Sequence, residues 1–226
     1  GLYEAELNLG ILLLRQKQPA EATPFLTAAG DKKPAEFRPA FYAAEALFVT
    51  EGYERTSVDV IAARAKVSKR TAYDHFGDKE TIFLHTLERV NDALVGSIRS
   101  AIDEELTPGR DLREALTAFG HRIVDRTFAS SDYLTFRQLV AQQRSVPRLI
   151  ETVRDRPERL LEERFAELAA DGALRAPDAG LAVRHFTALT IGLALDAVVE
   201  RPGAAGLPEI DSIIADGVGA FLRAYR

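Results

Sequence analysis

The chain has 226 residues, 46% of them apolar, which is enough for one large or two small domains with a substantial core. A formal net charge of -5 excludes general attraction of nucleic acid to the whole surface, so any DNA contact needs a local patch. The absence of Cys excludes disulfides, a thiolate metal site and a thiol nucleophile, and is compatible with the cytoplasm.

Helical periodicity runs through nearly every segment and strand patterns are scarce, so an all-α fold is expected. The first helix spans Tyr3–Gln16, with apolar Leu9, Leu12 and Leu13. The second spans Pro19–Ala29 and closes at Gly30. Pro34 and Pro39 bracket the start of a third, which stops at Gly52. Short helices follow at Val58–Ala65 and Lys69–Phe76, then a long amphipathic one from Lys79 to about Glu105. Further helices are expected at Asp111–Phe128, Asp132–Gln143, Pro147–Arg154, Pro157–Ala170, Pro177–Glu200 and Pro208–Ala224. Four of these carry a proline at or near their start, where a missing N–H costs little. The stretch Arg201–Pro208 reads as a loop. No signal peptide is visible, and Arg184, His185 and Asp196 make Leu181–Val199 a buried helix rather than a membrane span. Met is absent even at position 1, which suggests a truncated, processed or engineered chain.

The segment "VSKRTAYDHFGDKE", residues 67–80, carries the chemistry. Thr56 and Ser57 stand where the helix at Val58 needs a cap, and Ser68 caps the next helix. Ile61, Ala62 and Ala65 form one inner face, Ala72 and Phe76 the other. That leaves Lys69, Arg70, Thr71, Tyr73, Asp74 and His75 outside. Two short helices joined by a three-residue turn make a helix-turn-helix, whose second helix can enter the major groove. The capped N-terminus suits phosphate, Arg70 suits guanine O6 and N7, and Tyr73, His75 and Lys79 suit backbone phosphates. Arg64, Lys66, Lys69, Arg70 and Lys79 against Asp74 and Asp78 give five minus two, a local balance of +3.

Residues 43–88, "AAEALFVTEGYERTSVDVIAARAKVSKRTAYDHFGDKETIFLHTLE", resemble the DNA-binding domain of TetR family transcriptional regulators. The resemblance extends over about residues 38–226. It implies that Thr56, Ser57, Ser68, Lys69, Arg70, Thr71, Tyr73, His75 and Lys79 face double-stranded DNA. Two departures stand out. Lys66 occupies a turn position that is usually Gly, and a left-handed Lys costs about 1 kcal/mol. Ala72 is smaller than the usual inner residue.

In this family the remaining helices sense a ligand and dimerise. "RPERLLEERFAELAADGALRAPDAGLAVRHFTALTIGLALDAVVE", residues 156–200, is similar to the carboxy-terminal domain of the multidrug type. Phe119, Arg122, Ile123, Phe136, Gln142, Phe165, His185, Phe186 and Leu189 are candidates for a pocket holding a small apolar effector. Leu189, Gly192, Leu193, Ile213, Ile214, Val218 and Phe221 are candidates for a homodimer interface, whose two-fold symmetry matches a palindromic operator. The expected division is 1–36, 37–84 and 85–226: a helical extension, the DNA-binding domain, and a sensing and dimerising domain.

Residues 3–36 fall outside this pattern. Leu9-Gly10, Leu13, Ala22, Leu26, Ala29 and Pro34 occupy positions of a tetratricopeptide repeat, and resemble one. Leu9, Leu12 and Leu13 are expected to dock on the first helix of the TetR-like domain, the one that stops at Gly52. A repeat-type protein interaction scaffold is therefore the alternative to a repressor released from its operator by an effector. An enzyme is not expected. The sequence has no telling carboxylate pair, metal-ligand cluster or Gly-rich phosphate loop, so no cofactor or metal is invoked.

Overall fold

Side-chain caps and first-turn prolines set many helix boundaries. Ser57 accepts from Val60 N at 3.2 Å, Ser68 from Thr71 N at 2.9 Å, Asp111 from Glu114 N at 3.1 Å and Asp178 from Leu181 N at 2.8 Å. Each satisfies a donor that a helix start leaves orphaned. A computed structural model describes residues 1–33, 35–142, 156–200 and 208–226. The helices are α1 (Leu2–Arg15), α2 (Pro19–Lys32), α3 (Arg38–Thr50), α4 (Val58–Ala65), α5 (Lys69–Phe76), α6 (Lys79–Glu105), α7 (Leu112–Arg122) and α8 (Ser131–Val140). They continue as α9 (Arg156–Ala170), α10 (Ala179–Thr187), α11 (Leu193–Glu200) and α12 (Pro208–Tyr225). There is no strand among the described residues, so the fold is all-α. The expected helix at Pro147–Arg154 and the expected loop up to residue 207 lie outside the described residues. Two expected helices are interrupted: five-residue π-helical turns follow α7 at Ile123–Thr127 and α10 at Ala188–Gly192.

The described residues fall into two compact units: residues 1–92 with 131–142, and residues 93–130 with those from 156 onward. This differs from the expected division. Residues 1–36 share a unit with the helix-turn-helix, and so does α8.

The first core joins Leu47 and Phe48 of α3, Ile61 and Ala65 of α4, Ala72 and Phe76 of α5, and Ile82, Phe83 and Leu87 of α6. Leu139 of α8 completes it, with Phe136 and Val140 packed against the edge. Fully burying each large side chain contributes about 1.5–3 kcal/mol. Ala72 is wholly buried, so its small size permits close helix contact.

The α1–α2 hairpin has its own cluster of Tyr3, Leu7, Leu14, Ala22, Leu26 and Ala29, closed by Ala46 of α3. The expected docking by Leu9 and Leu12 is not what forms. They are 38% and 47% exposed, while Leu13 is packed against the cluster. Helix α1 carries two apolar stripes, and the one through Tyr3, Leu7 and Leu14 turns inward. Nor does α2 end at Gly30. It continues to Lys32, and Gly30 lies so close to α4 that a Cβ there would overlap the Ala65 carbonyl oxygen. Beside it, Thr27 Oγ1 donates to Arg64 O at 2.6 Å and Lys66 pairs with Asp31 at 2.8 Å. Lys66 is left-handed as expected, with φ 52° and ψ 36°.

In the second unit, Phe119, Phe165, Phe186 and Phe221 form one aromatic cluster with centroid separations of 5.4–6.2 Å. Gly217 of α12 presses on the π-helical turn, where a Cβ would overlap Leu189 O. The run Ala179–Val198 is long and apolar enough to cross a membrane by length and composition, with a mean hydropathy of 1.4.

Candidate nucleic-acid interface

Helix α5 is held from beneath and open above. Ala72 and Phe76 are buried, while Lys69, Arg70, Tyr73, Asp74 and His75 face outward. Arg70 has 89% of its side chain exposed and Tyr73 is 47% exposed. Ser57 and Ser68 are exposed caps at the N-termini of α4 and α5. The N-terminus of α5 therefore offers orphan N–H groups and a positive dipole end beside two cations.

Three expected contacts are placed differently. Thr56 is buried, its hydroxyl donating to Gly52 O at 2.8 Å. Thr71 is also buried and shares a 2.7 Å hydrogen bond with Ser68 Oγ. Both hydroxyls therefore serve the fold. Lys79 is turned inward: its amine donates to Tyr53 O at 3.0 Å and sits 4.0 Å above the Tyr53 ring. His75 stays exposed, with its ring 4.6 Å from that of Phe37.

The local charge of +3 is matched by acids from outside the stretch 64–79 over which it is summed. Lys69 meets Asp59 at 2.6 Å, Lys66 meets Asp31 at 2.8 Å, and Arg64 meets Glu51 at 3.5 Å. Arg70 meets Asp74 at 3.3 Å within α5. These pairs are exposed and each is worth at most about 1 kcal/mol, so a phosphate can compete for the cations. Hydrogen bonding to Asp59 raises the Lys69 pKa, keeping its amine charged.

The expected pocket residues divide between the two units. Phe119, Ile123, Phe165 and Phe186 are packed in the second core. Phe136 and Gln142 belong to the first unit: Phe136 packs on its core, and the Gln142 carboxamide bonds the α3–α4 loop. Exposed Leu189 is 37% accessible, and His185 Nδ1 lies 2.7 Å from Tyr225 Oη. A cavity of about 330 Å³ instead lies where Ile102, Leu106, Pro108 and Leu160 meet Arg99, Asp103, Glu163 and Arg164. Among the described residues, no group of three or more His, Asp or Glu side chains is arranged for a metal ion.

Arg122, another pocket candidate, grips Glu104 with two hydrogen bonds of 2.6 and 2.7 Å. These bonds, followed by one from Ser100, lower the Glu104 pKa from 4.5 to about 2. The carboxylate therefore contributes stability above pH 4.5, and that contribution is lost as pH falls towards 2. Thermal melts should show wild type more stable than Glu104→Gln at pH 7, with the gap closing between pH 4.5 and 2. A gap independent of pH would refute this ion pair.

The dimer candidates divide in the same way. Leu189 and Leu193 are exposed and Gly192 and Ile213 are half-buried, whereas Ile214, Val218 and Phe221 are buried in the chain's own core. The last three are therefore unavailable to a partner, which corrects the expectation. Leu181, 39% exposed, lies with Leu189 and Leu193 on the apolar face that the helical spacing marks.

Residues 114–226 match the family model "AefR-like transcriptional repressor, C-terminal domain", and residues 41–86 match "Bacterial regulatory proteins, tetR family". The chain belongs to the TetR family. It is 36% identical over 109 residues to the HTH-type transcriptional activator FasR of Mycolicibacterium smegmatis, covering 44% of this chain and 48% of that one. It is 33% identical over 135 residues to the HTH-type transcriptional regulator HbdR of an Aromatoleum strain, covering 59% and 57%. The chain thus spans about half the length of the curated relatives it matches. The solved structure of the flavonoid-responsive regulator FrrA aligns with a TM-score of 0.61 at 26% identity, covering 83% of this chain and 95% of that one. A tetratricopeptide repeat at residues 3–36 is not supported.

Proposed function

We propose that this TetR family member is a sequence-specific transcriptional regulator that binds a palindromic double-stranded operator as a homodimer. The observation that carries the reading is the outer face of α5, where Arg70 and Tyr73 stand clear of a helix locked from below. Arg70 reads a base edge, while Lys69, the Ser57 and Ser68 helix N-termini, His75 and Tyr73 hold phosphates. Lys79 acts indirectly, by fixing the loop at Tyr53.

The exposed face through Leu181, Leu189, Gly192 and Leu193 supports a two-fold contact between copies. The cavity lined by apolar Ile102, Leu106 and Leu160 and by charged Arg99, Asp103, Glu163 and Arg164 supports an effector with an apolar body and a polar end. That FrrA is flavonoid-responsive favours such small-molecule control. Repression, relieved when the effector shifts the population of states, follows the description matched by residues 114–226.

Selection of bound duplexes from a random pool tests the reading, with Arg70→Ala/Tyr73→Ala protein as control. The expected product is a palindrome with half-sites about 34–36 Å apart, recovered only by the unmodified chain. Recovery of nothing would sink it. A protein-interaction role would then come forward, favoured by the outward leucines of α1.

A further inference from the structure

Helix α8 is the segment that the chain sends back into the first unit after leaving it at residue 92. It is anchored at both ends. Near its start, Asp132 pairs with Arg89 at 3.3 Å, and Arg89 also pairs with the buried Glu45 of α3 at 2.8 Å. Just past its end, Gln142 reaches the loop between α3 and α4.

The Gln142 contacts use both halves of its carboxamide. Oε1 accepts from Tyr53 N at 2.6 Å, and Nε2 donates to Phe48 O at 3.0 Å and to Gln138 O at 3.1 Å. Phe48 O lies in the last turn of α3, where carbonyls lack helical partners. Gly52, with φ 86°, turns the chain between Phe48 and Tyr53. An amide side chain supplies the donor and the acceptor that these two groups require. On the far side of the same residue, Tyr53 O accepts from Lys79 Nζ of α6. The Tyr53 main chain is thereby pinned by α8 through its N–H and by α6 through its carbonyl. Four residues later comes Ser57, the cap of α4.

We propose that Gln142 is a positioning residue for the DNA-reading helices: its carboxamide latches the α3–α4 loop to α8 and makes operator affinity depend on where α8 lies. This rests on the DNA-binding reading above. The latched arrangement is the binding-competent one. A displacement of α8 by one or two ångströms breaks bonds of 2.6–3.1 Å and releases the approach to α4. Gln142 has no remaining role as an effector contact, because each end of its amide is already engaged.

The test uses the full chain with Gln142→Ala and Gln142→Glu, and Gln138→Ala as a control on the same helix. Amide exchange at Tyr53 is followed by NMR, and affinity is measured for a selected and a scrambled duplex. Gln142→Ala is expected to speed Tyr53 exchange and to weaken both duplexes about tenfold, leaving base preference unchanged. Gln142→Glu keeps an acceptor for Tyr53 N–H but loses the donor to Phe48 O. It should keep exchange slow and lose less affinity. Gln138→Ala should change neither. Faster exchange with unaltered affinity makes the contact merely structural and overturns the proposal; so does unaltered exchange. If the unmodified chain binds no duplex, the DNA-binding reading itself fails, whereas wild-type binding that ignores Gln142→Ala sinks the latch alone.

Discussion

Gly30→Ala is expected to destabilise the first unit by about 3 kcal/mol. The new Cβ would overlap the Ala65 carbonyl oxygen, which is main chain at the end of α4 and cannot swing aside. Relief requires α2 to lift from α4, which breaks the Thr27–Arg64 hydrogen bond and the Asp31–Lys66 pair. Gly96→Ala is the matched control: it lies in α6 with open space around its Cβ position, and should gain about 1 kcal/mol from helix propensity. Denaturant melts of both variants decide the matter. Equal stability of Gly30→Ala and wild type would mean that the hairpin does not sit on the helix-turn-helix.

Arg70→Ala should cost roughly ten- to a hundredfold in affinity for a selected duplex and much less for a scrambled one. The guanidinium is freely presented and its partner Asp74 is itself exposed, so little has to be broken before it meets a base. Lys69 differs because Asp59 holds it at 2.6 Å. Asp59→Asn frees that amine and should strengthen binding to every duplex a few-fold, with a steeper salt dependence. Titrations at two salt concentrations separate the cases. Uniform weakening by Arg70→Ala across sequences would assign it to phosphate instead of base.

Much of the reading head was legible because its determinants are local. The caps Ser57 and Ser68, the ends of α4 and α5, and the inward Ala72 and Phe76 all follow from spacing within one helical turn. Thr71 was misjudged because it adjoins that inner face and its hydroxyl turns back to the cap. The +3 balance was a sum over a window, and the acids that offset it, Asp31, Glu51 and Asp59, lie outside that window. Gln142 lies 89 residues from its partner Tyr53, a distance no periodicity bridges. For Ile214, Val218 and Phe221 the pattern correctly marked an apolar face but not whose core it fills. The same ambiguity misassigned α1, which has two apolar stripes.

The left-handed Lys66 has a historical consequence. Held alone, it costs about 1 kcal/mol relative to a glycine, and here its amine rests on Asp31 of the amino-terminal hairpin. A lineage that loses the hairpin keeps the strained backbone and forfeits the counter-charge. A lineage that first restores glycine gives up that pairing. The strain relieved by glycine and the exposed pair given up for it are each about 1 kcal/mol or less, so with the hairpin present this position is nearly neutral between lysine and glycine.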